Sequence, residues 1–324
     1  MPTSDIEALA RERPLASSEL HPSNDFYGHA GLLKRYAGLG QSTKLKVSIE
    51  HGINFVDHLW DVDTLAGMPV FLCAGRERAR LVQASLPDWC RAVAIGPLMR
   101  YTPSGDGGHP SGARTLVAFP GHSTHHLETD YDAAAFADRL VAEQGTYDQI
   151  AVCLYWRDIQ RGVQRAYQDR GIECVTAGHM YDPRFMIRLR AILEGASEVV
   201  TNEVGTHIVY AVALDRPVWM FEQEVSVSAD SEDVLRRDGA DAAALAHRRL
   251  QEVRALFAER RSELSGAQRE AIAELAGFAD VRSPGQLAEL FAEAEAAYRR
   301  RYPVATRASR RARRLLARAG RPSR

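Results

Sequence analysis

Between Thr115 and Phe221 the chain alternates short apolar runs with polar, helix-compatible stretches, and this alternation constrains the fold more than any other feature. The runs are TLVAF (115–119), QIAVCLY (149–155), IECVTA (172–177), EVVTN (198–202) and PVWMF (217–221). Each is as long as a strand and continuously apolar, the pattern of strands buried on both faces. Helical segments are expected between them at 132–143, 160–170, 183–195 and 205–213. Asp132 and Asp182-Pro183 fit helix starts, because an aspartate can cap free N–H groups and proline is tolerated in the first turn. Strands alternating with helices in this way predict an α/β lobe built on a doubly wound parallel sheet.

A smaller version of the rhythm precedes it. KLKVSIE (44–50) reads as a strand ending at His51-Gly52, PVFLCAG (69–75) as a second strand followed by the helix-like RERARLVQAS, and RAVAIGP (91–97) as a third. Phe26 to Tyr36 suits a helix, and the polar residues 1–22, with Pro14 and Pro22, suit a short helix or a loose arm. The stretch YTPSGDGGHPSGA (101–113) has no periodicity and is the expected linker. The expected organisation is therefore a short α/β lobe at 1–104 and a Rossmann-like lobe at 114–228. Ala- and Glu-rich helices broken near Gly266 and Ser283-Pro284-Gly285 follow at 229–298, and an Arg-rich tail occupies 299–324. A chain of 324 residues, 45% hydrophobic and 26% charged, can bury the cores that two lobes need.

The formal net charge of -1 hides an asymmetry. Residues 299–324 contain 11 arginines and no acidic residue, leaving 30 basic and 42 acidic residues in the body. Residues 307–321, with Leu315 and Leu316 as their only bulky apolar anchors, suit an anionic membrane surface or simple solubilisation. An acidic body without a recognisable binding motif argues against nucleic acid. No apolar run is long enough to span a bilayer and the N-terminus has no signal-peptide core, so the expected location is cytoplasmic, peripheral at the inner membrane face if the tail docks there. Cys73, Cys90, Cys153 and Cys174 are widely spaced and read as reduced core thiols.

Ligands of open parallel sheets bind beyond the carboxyl ends of the strands. The residues there include His122, Ser123, Thr124, His125 and His126 after the first strand of the second lobe, Arg157 after the next, then His179, and finally Glu203, Gly205, Thr206 and His207. Gly205-Thr206 would open a helix whose free N–H groups can hold phosphate; the alternative is a tight turn with Thr206 as a cap. The histidines at 122, 125 and 126 admit a metal reading, but they lack the thiolates or H-E-x-x-H frame of a zinc site, so donation to phosphate is expected and no metal or cofactor. Asp61-Val62-Asp63 has the form of a cation-binding D-x-D or of an exposed acidic loop. In the first lobe His51 closes a strand and His29 lies in Tyr27-Gly28-His29-Ala30-Gly31; each is a candidate base or a structural histidine.

TLVAFPGHST, AVCLYWRD and EVVTNEVGTHIVYAVALDRPVWMF, with Asp215-Arg216-Pro217 before the last strand, resemble the C-terminal half of CDP-glycerol glycerophosphotransferase-like and capsule or teichoic-acid GT-B transferases. KVSIEHG (46–52) is similar to the strand and His-Gly of that family's acceptor lobe. The resemblance implies two Rossmann-like lobes in a GT-B-like arrangement, His51 as catalytic base and donor binding by the second lobe; His29 is the reserve candidate for the base. It further implies transfer of a sugar or polyol phosphate from a nucleotide-sugar or CDP-polyol donor to a glycan or lipid-linked acceptor. Glu203-Val204-Gly205-Thr206 stands where the family commonly has serines, and Trp156-Arg157 where it has His-Pro, so the donor is left open. A GT-B-fold sugar-nucleotide 2-epimerase and a non-catalytic nucleotide-binding partner of a polysaccharide assembly complex are the alternatives.

Overall fold

The computed structural model describes residues 3–16, 18–54, 67–104, 113–124, 127–229 and 240–303. The acidic Asp61 and Asp63, most of the linker, His125, His126 and the tail from 304 onward lie outside the described residues.

The chain begins its described course with α1 (Thr3–Ala10), and the first lobe then contains α2 (His29–Tyr36), β1 (Val47–Ile49), β2 (Val70–Cys73), α3 (Arg76–Gln83) and β3 (Arg91–Ala94). Its three strands form a parallel sheet in the order β1-β2-β3. The outer edge of β1 is closed by a side chain. Asn24 donates from Nδ2 to the Val47 carbonyl at 2.8 Å and accepts the Ile49 N–H on Oδ1 at 2.9 Å, so one buried amide satisfies the ladder groups a neighbouring strand would otherwise take. Directly after β1, the buried Glu50 carboxylate accepts from Arg78 Nε and Nη2 of α3 at 2.8 and 2.6 Å.

The second lobe runs through β4 (Thr115–Phe119), β5 (Leu127–Asp130), α4 (Ala133–Val141), β6 (Gln149–Cys153), α5 (Trp156–Gln160), α6 (Gln164–Gln168), β7 (Glu173–Val175), α7 (Phe185–Glu194), β8 (Glu198–Thr201), α8 (Thr206–Ala213) and β9 (Val218–Met220). Its sheet is parallel in the order β7-β6-β4-β8-β9, and the five expected strands are all in it. Alternate residues point to opposite faces: Leu116, Ala118, Val152 and Val200 pack with Phe136, Leu140 and Tyr167, whereas Val117, Ala151, Val175 and Val199 pack with Leu189, Leu193, Ile208 and Val209. The sheet is thus covered on both sides, and the strand order reverses between β4 and β8. Together the lobes form the two-lobed, Rossmann-like α/β arrangement expected from the sequence. β5 leaves the sheet to pair antiparallel with β10 (Ser226–Ala229) beside the β4 loop.

Local details depart from expectation for identifiable reasons. Asp132 does cap α4, accepting from Ala135 N–H at 2.8 Å. Asp182 does not cap α7; the cap is Arg184, and Asp182 instead accepts that residue's N–H at 2.9 Å and pairs with Arg188 at 2.7 Å. The helix expected at 160–170 is divided into α5 and α6, with Gly162 at φ +83° between them.

The termini interlock the lobes. Of the short helix and the loose arm expected at the start, the helix is present: α1 crosses to the second lobe, where Ile6 and Ala10 are buried in the core beside Trp156, and the Leu9 carbonyl accepts from His179 N–H at 2.9 Å. At the other end α9 (Ala240–Leu256) and α10 (Gly266–Leu275) touch both lobes, Arg254 reaching the Asn202 carbonyl of the second, while Arg249 pairs with Glu77 and the Leu275 carbonyl lies against Gly75 of the first; α11 (Pro284–Arg301) then returns to the first. Lys46 pairs with Glu295 at 3.2 Å, Arg301 lies 3.9 Å from the Trp89 ring centroid, and Tyr302 Oη donates to Gly67 at 3.1 Å. The four cysteines are free and buried. Among the described residues no helix is long and apolar enough to cross a membrane.

Candidate functional site

A cavity of about 290 Å³ lies between the lobes, at the carboxyl ends of their strands. The first lobe contributes Tyr27, His29 and the His51-Gly52-Ile53-Asn54 turn; the second contributes Phe119, His122, Thr124, Tyr155, Thr206, His207 and Tyr210 among others. Beside it lies the reversal point of the sheet, where Asn202 Oδ1, after β8, accepts from Gly121 N–H, after β4, at 2.7 Å.

Contacts on two sides bring the lobes together around it. Ile53 N–H donates to Thr206 Oγ1 at 2.9 Å across the cleft, and Gly52, at φ +80°, allows the approach: a Cβ there would stand 3.2 Å from the same hydroxyl. On the opposite side Tyr27 and Gly28 are both left-handed, at φ 55° and 75°. A Cβ on Gly28 would stand 2.4 Å from the Pro183 carbonyl oxygen, so only glycine fits against the second lobe there. Tyr27 then donates its N–H to Met180 O at 2.5 Å and shares a hydrogen bond with Tyr155 at 3.0 Å, hydroxyl to hydroxyl.

The start of α8 lies where the sequence placed it. Gly205 is the N-cap and supplies no side-chain cap, leaving the first-turn N–H groups and the positive end of the helix toward the cavity. Thr206 is the first helical residue; its hydroxyl oxygen is held by the other lobe and its own proton is still available to a ligand. His207 hydrogen-bonds Thr201 Oγ1 through Nε2 at 3.0 Å and stacks on Phe119 at 5.4 Å and 2°. Burial, with His122 adding repulsion, pushes its pKa down to about 3, so it is neutral because it is desolvated. Burial likewise lowers His122 to about 4 and His29 to about 3, the latter with His51 contributing. His51 is half-buried, packs edge-on to Phe26 and is lowered by burial as well, in place of the near-neutral value its type suggests. Among the described residues no lysine or arginine lines the cavity.

Four residues drawn from the strand ends stand elsewhere. Ser123 is wholly buried: its N–H donates to Asp158 at 3.2 Å, and its oxygen accepts from Thr129 N–H at 3.1 Å and from Arg161 at 2.5 Å, so it braces the loop and is not presented to a phosphate. Arg157 is half-buried on α5 and does not line the cavity. His179 accepts from Tyr181 N–H at 3.1 Å, packs 4.0 Å from Trp156 and is covered by α1. Glu203 lies under the loop, its carboxylate against Gly121 and accepting the His122 N–H; burial raises it to about 7 against the pull of Arg254. Asp158, raised to about 6 by burial against the donors of Ser123, is its buried counterpart. Asp158 stands among the strand-end residues of the sequence but was not singled out there, and Tyr155, Tyr210 and Tyr27 were missed; the one available signal was the glycine after Tyr27. Among the described residues no cluster of three or more His, Cys, Asp or Glu side chains could hold a metal ion.

No family model matches the sequence, and a search of curated proteins returned no match. Solved glycosyltransferases are among the structures this chain resembles. The pneumococcal O-GlcNAc transferase GtfA, solved with UDP and GlcNAc, is 14% identical with a TM-score of 0.38 over 78% of this chain and 52% of that one. TarM of S. aureus is 11% identical with a TM-score of 0.35 over 82% and 53%. The wall teichoic acid polymerase TagF is 10% identical with a TM-score of 0.38 over 79% and 69%. The chain thus spans about half the length of the first two. These are distant likenesses, from which no activity is carried over.

Proposed function

We propose that the chain is a GT-B-type transferase that moves a sugar or polyol phosphate from a nucleotide-activated donor to a hydroxyl of a glycan or lipid-linked acceptor, in cell-surface polysaccharide synthesis of the capsule or teichoic-acid kind. The supporting observation is that His51 of one lobe and the N-terminus of α8 of the other line one cavity, joined by the hydrogen bond from Ile53 to Thr206. In this reading the acceptor hydroxyl attacks the sugar carbon or the phosphorus of the donor, its proton passes to His51, and the nucleotide leaves with the electron pair of the broken bond. A pKa below the usual histidine value keeps His51 unprotonated and able to accept. The first-turn N–H groups of α8 and the Thr206 hydroxyl meet the charge that grows on the departing phosphate. The Arg-rich end would hold such an enzyme at an anionic membrane where lipid-linked acceptors reside.

The test has two steps. Thermal shift against CMP, CDP, UDP, GDP and their sugar or polyol conjugates, with and without EDTA, is expected to single out one base and to be insensitive to chelation. With that donor, His51→Ala is expected to lower acceptor-dependent turnover by about 10²-fold or more while leaving the nucleotide shift intact. Turnover without any acceptor would favour the epimerase, and no shift with any nucleotide would remove the reading.

A further inference from the structure

Opposite α8, the cavity receives a second helix start. α2 begins at His29 after Gly28, an N-cap in the left-handed region that provides no side-chain cap, just as Gly205 provides none for α8. Both helices are a little over two turns long, and both present their first residues to the same cavity, His29 from the first lobe and Thr206 and His207 from the second. His29 is only 1% exposed, and its Nδ1 has no hydrogen-bond partner among the described residues. An unsatisfied polar atom in that position costs stability, so its retention calls for a partner that arrives with a ligand.

We propose that the α2 N-terminus and His29 form a second anion subsite, which holds a phosphoryl group apart from the one on α8. This inference rests on the transferase reading for the role of α8 but on its own residues for the subsite. A neutral imidazole with its proton on Nδ1 donates one hydrogen bond to a phosphoryl oxygen, and the first-turn N–H groups of α2 that follow His29, whose own N–H is taken by the Asn24 and Phe26 carbonyls, supply the field. That arrangement suits a cavity with no lysine or arginine among its described lining residues, because backbone dipoles and neutral donors can bind phosphate without burying cationic side chains. His29 is then a binding residue rather than a second base. Its burial and the nearby His51 hold its pKa at about 3, which leaves the imidazolium needed for proton transfer out of reach near neutral pH. The phosphoryl group could belong to the donor's own diphosphate or to a phosphorylated acceptor.

Titration with inorganic phosphate by calorimetry, on the full chain, tests the subsite directly. His29→Leu is expected to weaken phosphate binding by about tenfold or more, as loss of a hydrogen bond to a charged group does. It should leave the melting temperature of the ligand-free protein unchanged or higher, because it removes an unsatisfied buried group. His29→Asn, which keeps a short donor at a helix start, should recover part of the affinity and guards against a folding failure of the leucine variant. Phosphate that competes with the nucleoside diphosphate assigns the subsite to the donor; phosphate that binds beside it assigns the subsite to the acceptor. His29-dependent phosphate binding in a protein that binds no nucleotide would keep the subsite and remove the transferase reading. Phosphate affinity unchanged in His29→Leu would overturn the subsite.

Discussion

The histidines around the cavity make stability depend on pH in a direction that can be worked out. His29, His122 and His207 titrate near 3 to 4 in the folded chain, against about 6.5 when unfolded. Below that unfolded value the unfolded chain binds more protons, so their contribution is present above it and is lost as the pH falls toward the folded values. Asp158 and Glu203 act oppositely. Their folded values, about 6 and 7, are raised, so they favour the folded state in acid and cease to do so as the pH rises through those values. Burial raises Glu50 as well, so four depressed histidines, His51 included, outnumber three raised carboxylates between pH 5 and 6.5. The melting temperature is therefore expected to fall as the pH drops from 7 to 5, and to fall less in His207→Phe. Glu203→Gln removes one opposing carboxylate and should steepen the fall. A wild-type melting temperature independent of pH over this range would show that these rings are solvated.

At the scale of elements, His51 is aimed by a strand of three residues that owes its position to one side chain. Asn24 closes the exposed edge of β1 and is itself 0% exposed, so Asn24→Leu would leave the Val47 carbonyl and the Ile49 N–H without partners in a site the leucine keeps dry. A loss of about 2–6 kcal/mol is expected, from two unsatisfied backbone groups at about 1–3 kcal/mol each. Denaturant titration would measure it, and a change under about 0.5 kcal/mol, the size of an ordinary surface substitution, would show that water replaces the amide. Nothing in the sequence around Asn24 announces this, because its partners lie 23 and 25 residues away. The second lobe was legible for the opposite reason: its strands are apolar on both faces, and the uncapped turn at Gly205 is written into the segment that makes it. The site itself was half legible. Residues after a strand could be named, but whether a side chain turns into the cavity depends on neighbours from elsewhere: α1 covers His179, and Arg161 and Thr129 occupy Ser123.

For the whole molecule, the crossing termini decide whether two lobes behave as two units. α1 starts the chain yet completes the core of the second lobe, and α11 ends the described chain yet covers the first, so neither lobe's core is made from one continuous segment. Domains that unfold separately are joined by linkers that few contacts cross; here packed helices cross in both directions, and the cavity walls add the Tyr27–Tyr155 and Ile53–Thr206 hydrogen bonds. Unfolding is therefore expected to be a single transition. Trp89 in the first lobe and Trp156 and Trp219 in the second provide separate reporters once the others are replaced by phenylalanine. Their denaturant midpoints should coincide, and Ile6→Ala, which empties a fully buried site where α1 meets the second lobe, should shift both reporters together by about 2–4 kcal/mol. If Ile6→Ala moved only the second-lobe reporters, the lobes would be independent, and closure of the cleft would have to be supplied by ligand instead of by the interlocked chain ends.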